Sequence, residues 1–578
     1  MGFLGIERSA TGRRWIGPDD AGARLAEAIE QSGHPRALSQ HLAGRGLTPD
    51  DVPTFLDPSL RDLLPDPSTL RDMDVASDRL LRAVTRAERI AVFADYDVDG
   101  AASAALLVWW LRALGREATV YVPDRIDEGY GPNAPAIAAL ADAHDLIVCV
   151  DCGTLSHDAL AATGETDVVV LDHHLGIETL PPALAVVNPN RVDEDGTLAH
   201  LCAAAVVFLC LVDANRKVRA MGTKAPDLMA LLDLVALATV ADVAPLVGVN
   251  RAFVRRGLTV MARRDRPGLR ALADAARMDG PPAAYHLGYL LGPRINAGGR
   301  VGRSDLGARL LSTADAAEAA ALAERLDDLN GQRRAVESAI VEAALDQATH
   351  RGGALSWAAG EGWHPGVVGI VASRLKEATD RPSVVIGLRN DGTGQGSARS
   401  VSGIDIGAAI QRLAAEGLLM KGGGHRMAAG LTVEAAKVEP AMARLTELVE
   451  RQMGVPAGPR ALRLDGAIMA GAATRELVDL LEAAGPFGQG APAPRFALPD
   501  LRVVRTRRVG DGHLQATFAD GAFRLDAFGF RVDPALTDLL EGAGGPVHVV
   551  GKLEVNRWRG RETVRLRLDD AAPAPTAT

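Results

Sequence analysis

Three short stretches in the first half of the chain concentrate oxygen and imidazole groups. They are Asp95-Tyr96-Asp97-Val98-Asp99-Gly100, Asp151 followed by Gly153 and Thr154, and Asp172-His173-His174. Asp242 is a fourth candidate, closing the apolar run LVALATVA. Gathering carboxylates is costly, because like charges a few ångströms apart raise one another's pKa, and a bound cation removes that cost. Oxygen ligands with one or two imidazoles suit Mn²⁺ or Mg²⁺ better than metals that prefer thiolates. One or two such ions, about 4 Å apart when paired, activate water and stabilise the oxygens of a phosphoester displacement. Each stretch alone is ambiguous. DxDxDG opens like a calcium loop, yet it lacks the terminal Glu at the required spacing. Asp172 alone could be a helix cap and Asp242 a loop or capping carboxylate, while a lone His173 or His174 reads more readily as a surface histidine.

The elements around these residues give them a common location. Arg89–Ala94, Thr119–Val122, Leu146–Val150 and Val168–Leu171 read as short buried strands, with an apolar helix over Ala101–Leu114. Alternating strands and helices predict a mostly parallel sheet covered by helices, and ligands in such sheets bind at the carboxyl ends of the strands. The acidic stretches follow those ends, and Asp242 is counted with them.

A long helix is predicted over 312–350, opened by Ser312-Thr313-Ala314-Asp315 as a capping box, with Gly331 its one weak point. A second α/β unit runs over 351–455. Its Gly422–Gly430 stretch, GGGHRMAAG, includes Gly423, Gly424 and His425, and glycines there allow a backbone to approach phosphate closely. Ser397, Arg399 and Ser400 supply hydroxyls and a guanidinium suited to phosphate. His364 sits where a helix N-terminus could receive an anion. Turns and helix packing explain these glycines equally well when each is taken alone. Gly292–Val301, GPRINAGGRV, reads as a basic loop carrying Arg294, Asn296 and Arg300, open to solvation or function. Beyond 456, strands over Arg502–Arg507, His513–Phe518, Phe523–Phe530, Val547–Val555 and Thr563–Leu568 suit a small barrel of the OB type. Arg502, Arg505, Arg507 and Arg508, and the hairpin Asn556-Arg557-Trp558-Arg559 with Arg561, suggest a grip on a single strand, though solvated strand faces are the alternative. Residues 571–578 read as a disordered tail, and 1–75 as an N-terminal segment of low information.

Taken together, the motifs resemble the DHH phosphoesterase superfamily. LDHH is similar to its signature, FADYDVDG to its first motif, VDCGT to its second and TVADVAPL to its fourth, while GGGHRMAAG resembles the DHHA1 domain. The GPRINAGGR segment narrows the resemblance to the RecJ family, over about residues 76–568. The resemblance implies two α/β domains (DHH, 76–311, and DHHA1, 351–455) joined by a long helix over 312–350, and an OB barrel over 456–570. It implies that Asp97, Asp99, Asp151, His173 and Asp242 hold metal, with Asp95 and His174 beside them near metal or phosphate. Arg294, Asn296 and Arg300 would hold a strand. One departure is Phe93, where many members carry a histidine, which puts a fully occupied second metal position in question. The implied activity is 5′-to-3′ hydrolysis of single-stranded DNA to mononucleotides in recombination and repair, with a helicase and single-strand-binding protein as partners. The alternatives are a phosphatase for short oligonucleotides or dinucleotides and a non-catalytic DNA-binding scaffold.

Composition bounds these readings. At 578 residues the chain is several domains long, and its 47% hydrophobic and 24% charged content is that of soluble globular proteins. Apolar runs are too short to span a bilayer and the first residues lack a signal-peptide core, so a cytoplasmic protein is expected. A monomer is expected because one chain supplies the metal site, the cleft and the barrel. Cys149 and Cys152 lie in a buried-strand pattern and read as core residues rather than a metal or redox pair. The net charge of −10 requires any nucleic-acid contact to be a local basic groove.

Overall fold

The computed structural model describes residues 1–125, 128–129, 131–454, 459–510, 512–558 and 561–574. The chain forms two compact units, Pro65–Ala244 with Arg256–Pro456, and Met1–Leu64 with Pro245–Arg255 and Ala457–Thr578.

The first unit holds a five-stranded parallel sheet in the spatial order Ala118–Tyr121, Ile90–Ala94, Leu146–Val150, Asp167–Leu171, Ala185–Val187. The strands Ile90–Ala94 and Leu146–Val150 are wholly buried, because helices cover both faces of the sheet. The chain leaves Ile90–Ala94 for one neighbour and returns to the other, so a topological switch point lies between it and Leu146–Val150. The carboxyl ends of those two strands carry Asp95 and Asp151. The last strand, Ala185–Val187, was not expected, since three residues between prolines give no readable alternation. Asp242 follows a helix, Leu232–Ala241, rather than a strand; Leu232–Thr239 are buried all round it, so no polar face marks a helical period. GPRINAGGRV is likewise a helix, Gly292–Val301, continuing from a π-helical turn, His286–Leu291, and not a loop.

The connecting helix is one 36-residue element, Ala316–Arg351, about 54 Å long. Its cap is Asp315, which accepts from the Ala317 and Glu318 amides, whereas Ser312 ends the preceding helix. Beyond it, five strands lie in the order Lys421–His425, Ala428–Glu434, Thr393–Arg399, Ser383–Leu388, Ser356–Glu361, antiparallel except for the last pair. Helix Pro365–Thr379 packs with the connecting helix on one face, and Ile406–Ala415 with Val438–Gln452 on the other.

In the second unit, Phe496–Val509, His513–Asp520, Phe523–Gly529, Arg561–Pro573 and Val547–Trp558 pair in that order, and the last returns to the first, closing a five-stranded barrel. Closure removes exposed strand edges. Of the tail expected over 571–578, residues 571–573 belong instead to strand Arg561–Pro573, and 575–578 lie outside the described residues. Residues 1–64 are no appendage. Strand Arg14–Ile16 pairs with Ala461–Arg463, the fully buried Trp15 donates to Asp570 Oδ2 at 3.0 Å, and Ile29, Leu38 and Leu42 enter the barrel-side core. Pro245–Arg255 joins the same unit through Arg251, whose guanidinium donates to the carbonyls of Phe55, Ala484, Gly485 and Pro486. Partners hundreds of residues apart leave no periodicity to read, so linear division of the chain missed both segments.

Candidate metal centre and substrate groove

The DxDxDG stretch is a strand–turn–helix junction. Asp97 caps helix Val98–Ala113 by accepting from the Asp99 and Gly100 amides at 2.8 and 3.2 Å. Gly100 is required there, as a Cβ would fall 2.3 Å from the Asp95 carbonyl oxygen. Asp99 is buried and accepts from the Ala203 and Ala204 amides at 2.7 and 2.8 Å, at the N-terminus of helix Ala203–Ala220. Asp151 stands at φ +59°, a left-handed conformation that costs a non-glycine residue energy and recurs at functional sites. Val243, directly after Asp242, is also left-handed at φ +61°. Asp172 accepts from the Thr154 amide at 3.0 Å, the His173 amide at 2.7 Å and His174 Nδ1 at 2.8 Å. It therefore orients the His174 imidazole and fixes the backbone that carries His173. Asn188 and Asn190 hold the same turn through the carbonyls of His174 and His173.

These elements bring the strand-end residues into one cluster. His173 Nε2 lies 3.3 Å from Asp151 Oδ1 and 3.7 Å from Asp99 Oδ2, and its Nδ1 lies 3.9 Å from Asp242 Oδ2. Two groups have one ligand atom from each member within 4.8 Å of the others, Asp99–His173–Asp242 and Asp95–Asp97–Asp151, and a third, Asp151–His173–His174, overlaps both. Burial, and then Asp97, pushes Asp95 up to about 8; burial, and then Asp99 and Asp97, does the same to Asp242. Burial also raises Asp99 and Asp151, the latter further through Asp99. Burial would raise Asp172 too, but the hydrogen bonds from His174 and Thr154 hold it well below the carboxylate range. Burial opposes the charge on His174, yet Asp172 outweighs it and brings that imidazole to about 9.

Two facts test whether a cation fits. Asp95 Oδ1 and Asp151 Oδ1 are buried and receive no hydrogen bond, and the carboxylates are too close to ionise together unaided. A divalent cation answers both demands, and the oxygen-rich donor set suits Mg²⁺ or Mn²⁺. Phe93 is buried 5.3 Å from the Tyr121 ring and offers no ligand, so the Asp95–Asp97–Asp151 group contains oxygen only. Cys149 and Cys152 are buried free thiols, with Cys149 pushed up to about 12 by burial, and contribute to the core alone.

Beside the cluster opens a groove of about 580 Å³ lined by Arg125, Arg300, Ser397, Arg399 and Lys421. Strand register explains its floor. Ser397, Gly430 and Gly423 form one row across three strands, between the row Arg399–Ala428–His425 and the row Gln395–Thr432–Lys421. A Cβ at Gly423 or Gly430 would meet nothing within 4 Å, so these glycines leave open space rather than relieve a clash. The guanidinium of Arg125 lies 5.0 Å from the Tyr96 ring centroid. Arg300 donates to the Gly366 carbonyl at 3.0 Å, and Arg399 donates to Ser397 Oγ at 2.8 Å and to the Ala398 carbonyl. Burial, reinforced by Arg125, lowers Arg300 to about 10 and also lowers Arg399. Arg300 and Arg399, each disfavoured by burial and then by Arg125, stand with it over a glycine floor, an arrangement suited to a phosphate.

Asp95, Asp97, Asp99, Asp151, His173, His174 and Asp242 thus converge on one centre, and Arg300, Ser397, Arg399 and Gly423 on the adjoining groove. His364 caps helix Pro365–Thr379, accepting from Gly366 at 3.1 Å, close to the groove's rim. His425 lines a second cavity with His174 and Asp172. Other expected residues do not join. Arg294 points to the connecting helix, paired with Asp327 at 2.8 Å, because helical periodicity turns it away from Arg300. Asn296 accepts from the Val98 amide at 3.0 Å and so braces the Asp99 helix. Ser400 is buried, donating to the Ile404 carbonyl at 2.8 Å. Gly424 packs against Ala429, since alternation sends it to the face opposite Gly423. Arg125, Lys421 and Gly430 were missed. Arg125 had one readable signal: it follows strand Ala118–Tyr121 at the same sheet edge as the acidic motifs.

The barrel carries its own basic surface. Arg507, Gln515, Phe528, Arg567 and Lys552 lie side by side on five adjacent strands, forming a transverse row. Arg502 and Arg505 stand on the same strand as Arg507. Arg508 is paired with Glu541, and Arg557 with Glu562, each at 2.8 Å. Residues 559–560 of the expected hairpin lie outside the described residues.

Family models match the chain in three places: the DHH family N-terminal domain over 89–239, the DHHA1 domain over 350–452 and the RecJ OB domain over 464–570. The single-stranded-DNA-specific exonuclease RecJ of Dickeya dadantii is 37% identical over 540 residues, covering 90% of this chain and 93% of its relative. The crystal structure of Thermus thermophilus RecJ with Mn²⁺ superposes with a TM-score of 0.80 at 32% identity, covering 98% of this chain and 80% of that one. The same enzyme with Mg²⁺ gives 0.72 at 30% identity, covering 98% and 79%.

Proposed function

Since the chain belongs to the RecJ family, we propose that it is a metal-dependent exonuclease that degrades single-stranded DNA from the 5′ end, releasing 5′-mononucleotides in recombination and repair. The observation that carries this reading is the basic, glycine-floored groove opening directly beside the carboxylate–histidine cluster.

Exonuclease action needs an end to recognise. A 5′-terminal phosphate is a dianion, whereas an internal phosphodiester carries one charge and a 3′-hydroxyl none. Arg125, Arg300 and Arg399 together favour the dianion. Seating that terminus in the groove brings the next phosphodiester to the acidic cluster, which accounts for both the polarity and the mononucleotide product. Asp95, Asp97 and Asp151 would hold one divalent ion, Mn²⁺ or Mg²⁺, and Asp99, His173 and Asp242 would hold a second. When bound, these ions lower the pKa of water at the site and stabilise charge on the phosphoryl group. Asp172 fixes the His174 imidazole and the backbone at His173, and His174 keeps a proton at Nδ1 and turns positive charge toward the reacting phosphate. Ser397 and the backbone at Gly423 approach the terminal phosphate, with His364 and His425 at the margins. The functional division runs 76–311 for metal and chemistry, 351–455 for the terminus, and 456–570 for grip on the strand. Arg507, Phe528 and Arg567 supply the charge and ring that single-strand-binding barrels use. A cytoplasmic monomer working with a helicase and a single-strand-binding protein follows from the same reading. Among the described residues no helix is long and apolar enough to cross a membrane.

The test is Mn²⁺-dependent digestion of long single-stranded DNA labelled at either end, bearing a 5′-phosphate or a 5′-hydroxyl. Early release of mononucleotides from the phosphorylated 5′ end, abolished by Asp151→Ala, is expected. Cleavage restricted to very short oligomers would replace this reading with an oligonucleotide phosphatase, and binding without turnover with a scaffold.

A further inference from the structure

Tyr285 caps the π-helical turn His286–Leu291 and Tyr289 lies within it, and they are 58% and 72% exposed. Their rings are parallel within 21° with centroids 5.2 Å apart, so the pair is already stacked and presents its outer faces to solvent. Only 4% of the chain is aromatic, which makes two large rings displayed together on one turn an unusual expenditure. The opposite side of the turn is anchored by the fully buried Leu287 and Leu291. π-helical turns recur at functional sites.

The placement of this turn ties it to the metal centre. Gly288, between the two tyrosines, lies against Val240, with 3.4 Å from its Cβ position to Val240 Cγ1, and Gly292 lies 3.3 Å from Ala241 in the same sense. Val240 and Ala241 form the last turn of the helix that ends in Asp242. From there helix Gly292–Val301 runs about 15 Å past the cluster. Its first turn touches Ala241, its middle residue Asn296 holds the Val98 amide, and Arg300 at its far end lines the phosphate groove. The tyrosines and the arginine groove therefore stand at opposite ends of one rigid element, with the metal cluster alongside it.

We propose that the Tyr285–Tyr289 stack is a base-stacking platform for the nucleotides on the 3′ side of the scissile phosphate. The inference rests on the exonuclease reading above. With the terminal phosphate at the Arg300 end and the scissile phosphodiester beside Asn296, the strand continues toward the tyrosines. A base laid on the outer ring faces extends the existing stack. Stacking is indifferent to sequence, because every base has a π-face. Tyrosine suits the task because a rigid ring with few rotatable bonds loses little entropy on contact. Grip on the departing strand keeps the new 5′ end near the groove after each cleavage.

The experiment couples a substrate change to a protein change, using the full-length enzyme with Mn²⁺ and long 5′-phosphorylated single-stranded DNA. One abasic analogue is walked through the first several positions from the 5′ end, and wild type is compared with Tyr285→Ala/Tyr289→Ala and with Tyr285→Phe/Tyr289→Phe. The alanine variant is expected to lose about five- to a hundredfold in kcat/KM on intact DNA, mainly through KM. Wild type should lose a similar factor at particular abasic positions, and that position dependence should vanish in the alanine variant, with the phenylalanine variant close to wild type. Equal activity of wild type and alanine variant on intact DNA would overturn the proposal. So would a loss of the same size on intact and abasic strands, since independent effects add and coupled ones do not. If wild type degrades no strand under any condition, the exonuclease reading fails first and the platform falls with it.

Discussion

Gly423 and Gly430 give the sharpest separation between fold and function. In Gly423→Val or Gly430→Val the new Cβ enters the groove, where nothing lies within 4 Å, and neither glycine has a left-handed φ that would exclude valine. Valine is favoured in strands over glycine by up to about 1 kcal/mol, so the melting temperature should hold or rise slightly. The side chain nevertheless occupies the floor of a 580 Å³ groove between Ser397 and Lys421 and keeps a phosphate from the backbone. Losing one hydrogen bond to a charged group costs about 1.5–3 kcal/mol, or roughly 10- to 150-fold in kcat/KM. Gly394→Val is the control. It lies on the same sheet but its Cβ would fall 2.8 Å from Ile386, so overpacking should cost about 1–3 kcal/mol of stability, read as a lower melting temperature. Steady-state digestion of single-stranded DNA and thermal unfolding, run on all three variants, decide the matter. Full activity in Gly423→Val and Gly430→Val would show that substrate does not use this floor. Loss of activity together with a lower melting temperature would show that the glycines serve the fold.

Three further outcomes follow from the geometry. Without metal, Asp95 and Asp242 near 8 stand far above the roughly 3.9 of an unfolded aspartate, so the folded state holds more protons between those values. The stability these two groups contribute in a chelator is therefore lost as pH rises toward about 8, while the melting increment from Mn²⁺ grows; in Asp95→Asn/Asp242→Asn this fall between about pH 6 and 8 should disappear, and its persistence would contradict the carboxylate cluster. Arg251→Met leaves four carbonyls without their donor and should cost about 3–5 kcal/mol, read as an earlier unfolding transition with the metal centre's Mn²⁺ response preserved, and an unchanged transition would refute its bracing role. On the barrel, Arg567→Ala should reduce the salt dependence of single-strand binding by about 0.7 in log–log slope, whereas Phe528→Ala should weaken binding with the slope unchanged. Identical salt slopes for wild type and Arg567→Ala would remove that row from the binding surface.

The chemistry of the metal centre was legible from residue types and spacing alone. Buried-strand runs ended in Asp95, Asp151 and Asp172, and a parallel sheet has one edge where such ends meet, so local pattern sufficed to place them together. The closed barrel was legible for the same reason, as alternation repeated over five strands. What local pattern could not carry was the side each residue faces. Ser397 and Ser400 differ by three positions in one motif, yet one lines the groove and the other is sealed against Ile404. Arg294 and Arg300 share a helix, but one pairs with Asp327 and the other meets Gly366.

By itself, then, the sequence determined which atoms are available for chemistry, the class of metal they suit, and the elements that end in them, because these depend on composition and short-range periodicity. Only the tertiary structure decided that Arg125 joins Arg300 and Arg399, that Asp242 arrives from a helix, that Gly423 and Gly430 fall in one register row, and that residues 1–64 and 245–255 complete the barrel unit. Those outcomes depend on strand register, helix phase and contacts across hundreds of residues, and the energy that selects them comes from burying whole surfaces at once rather than from any stretch read alone.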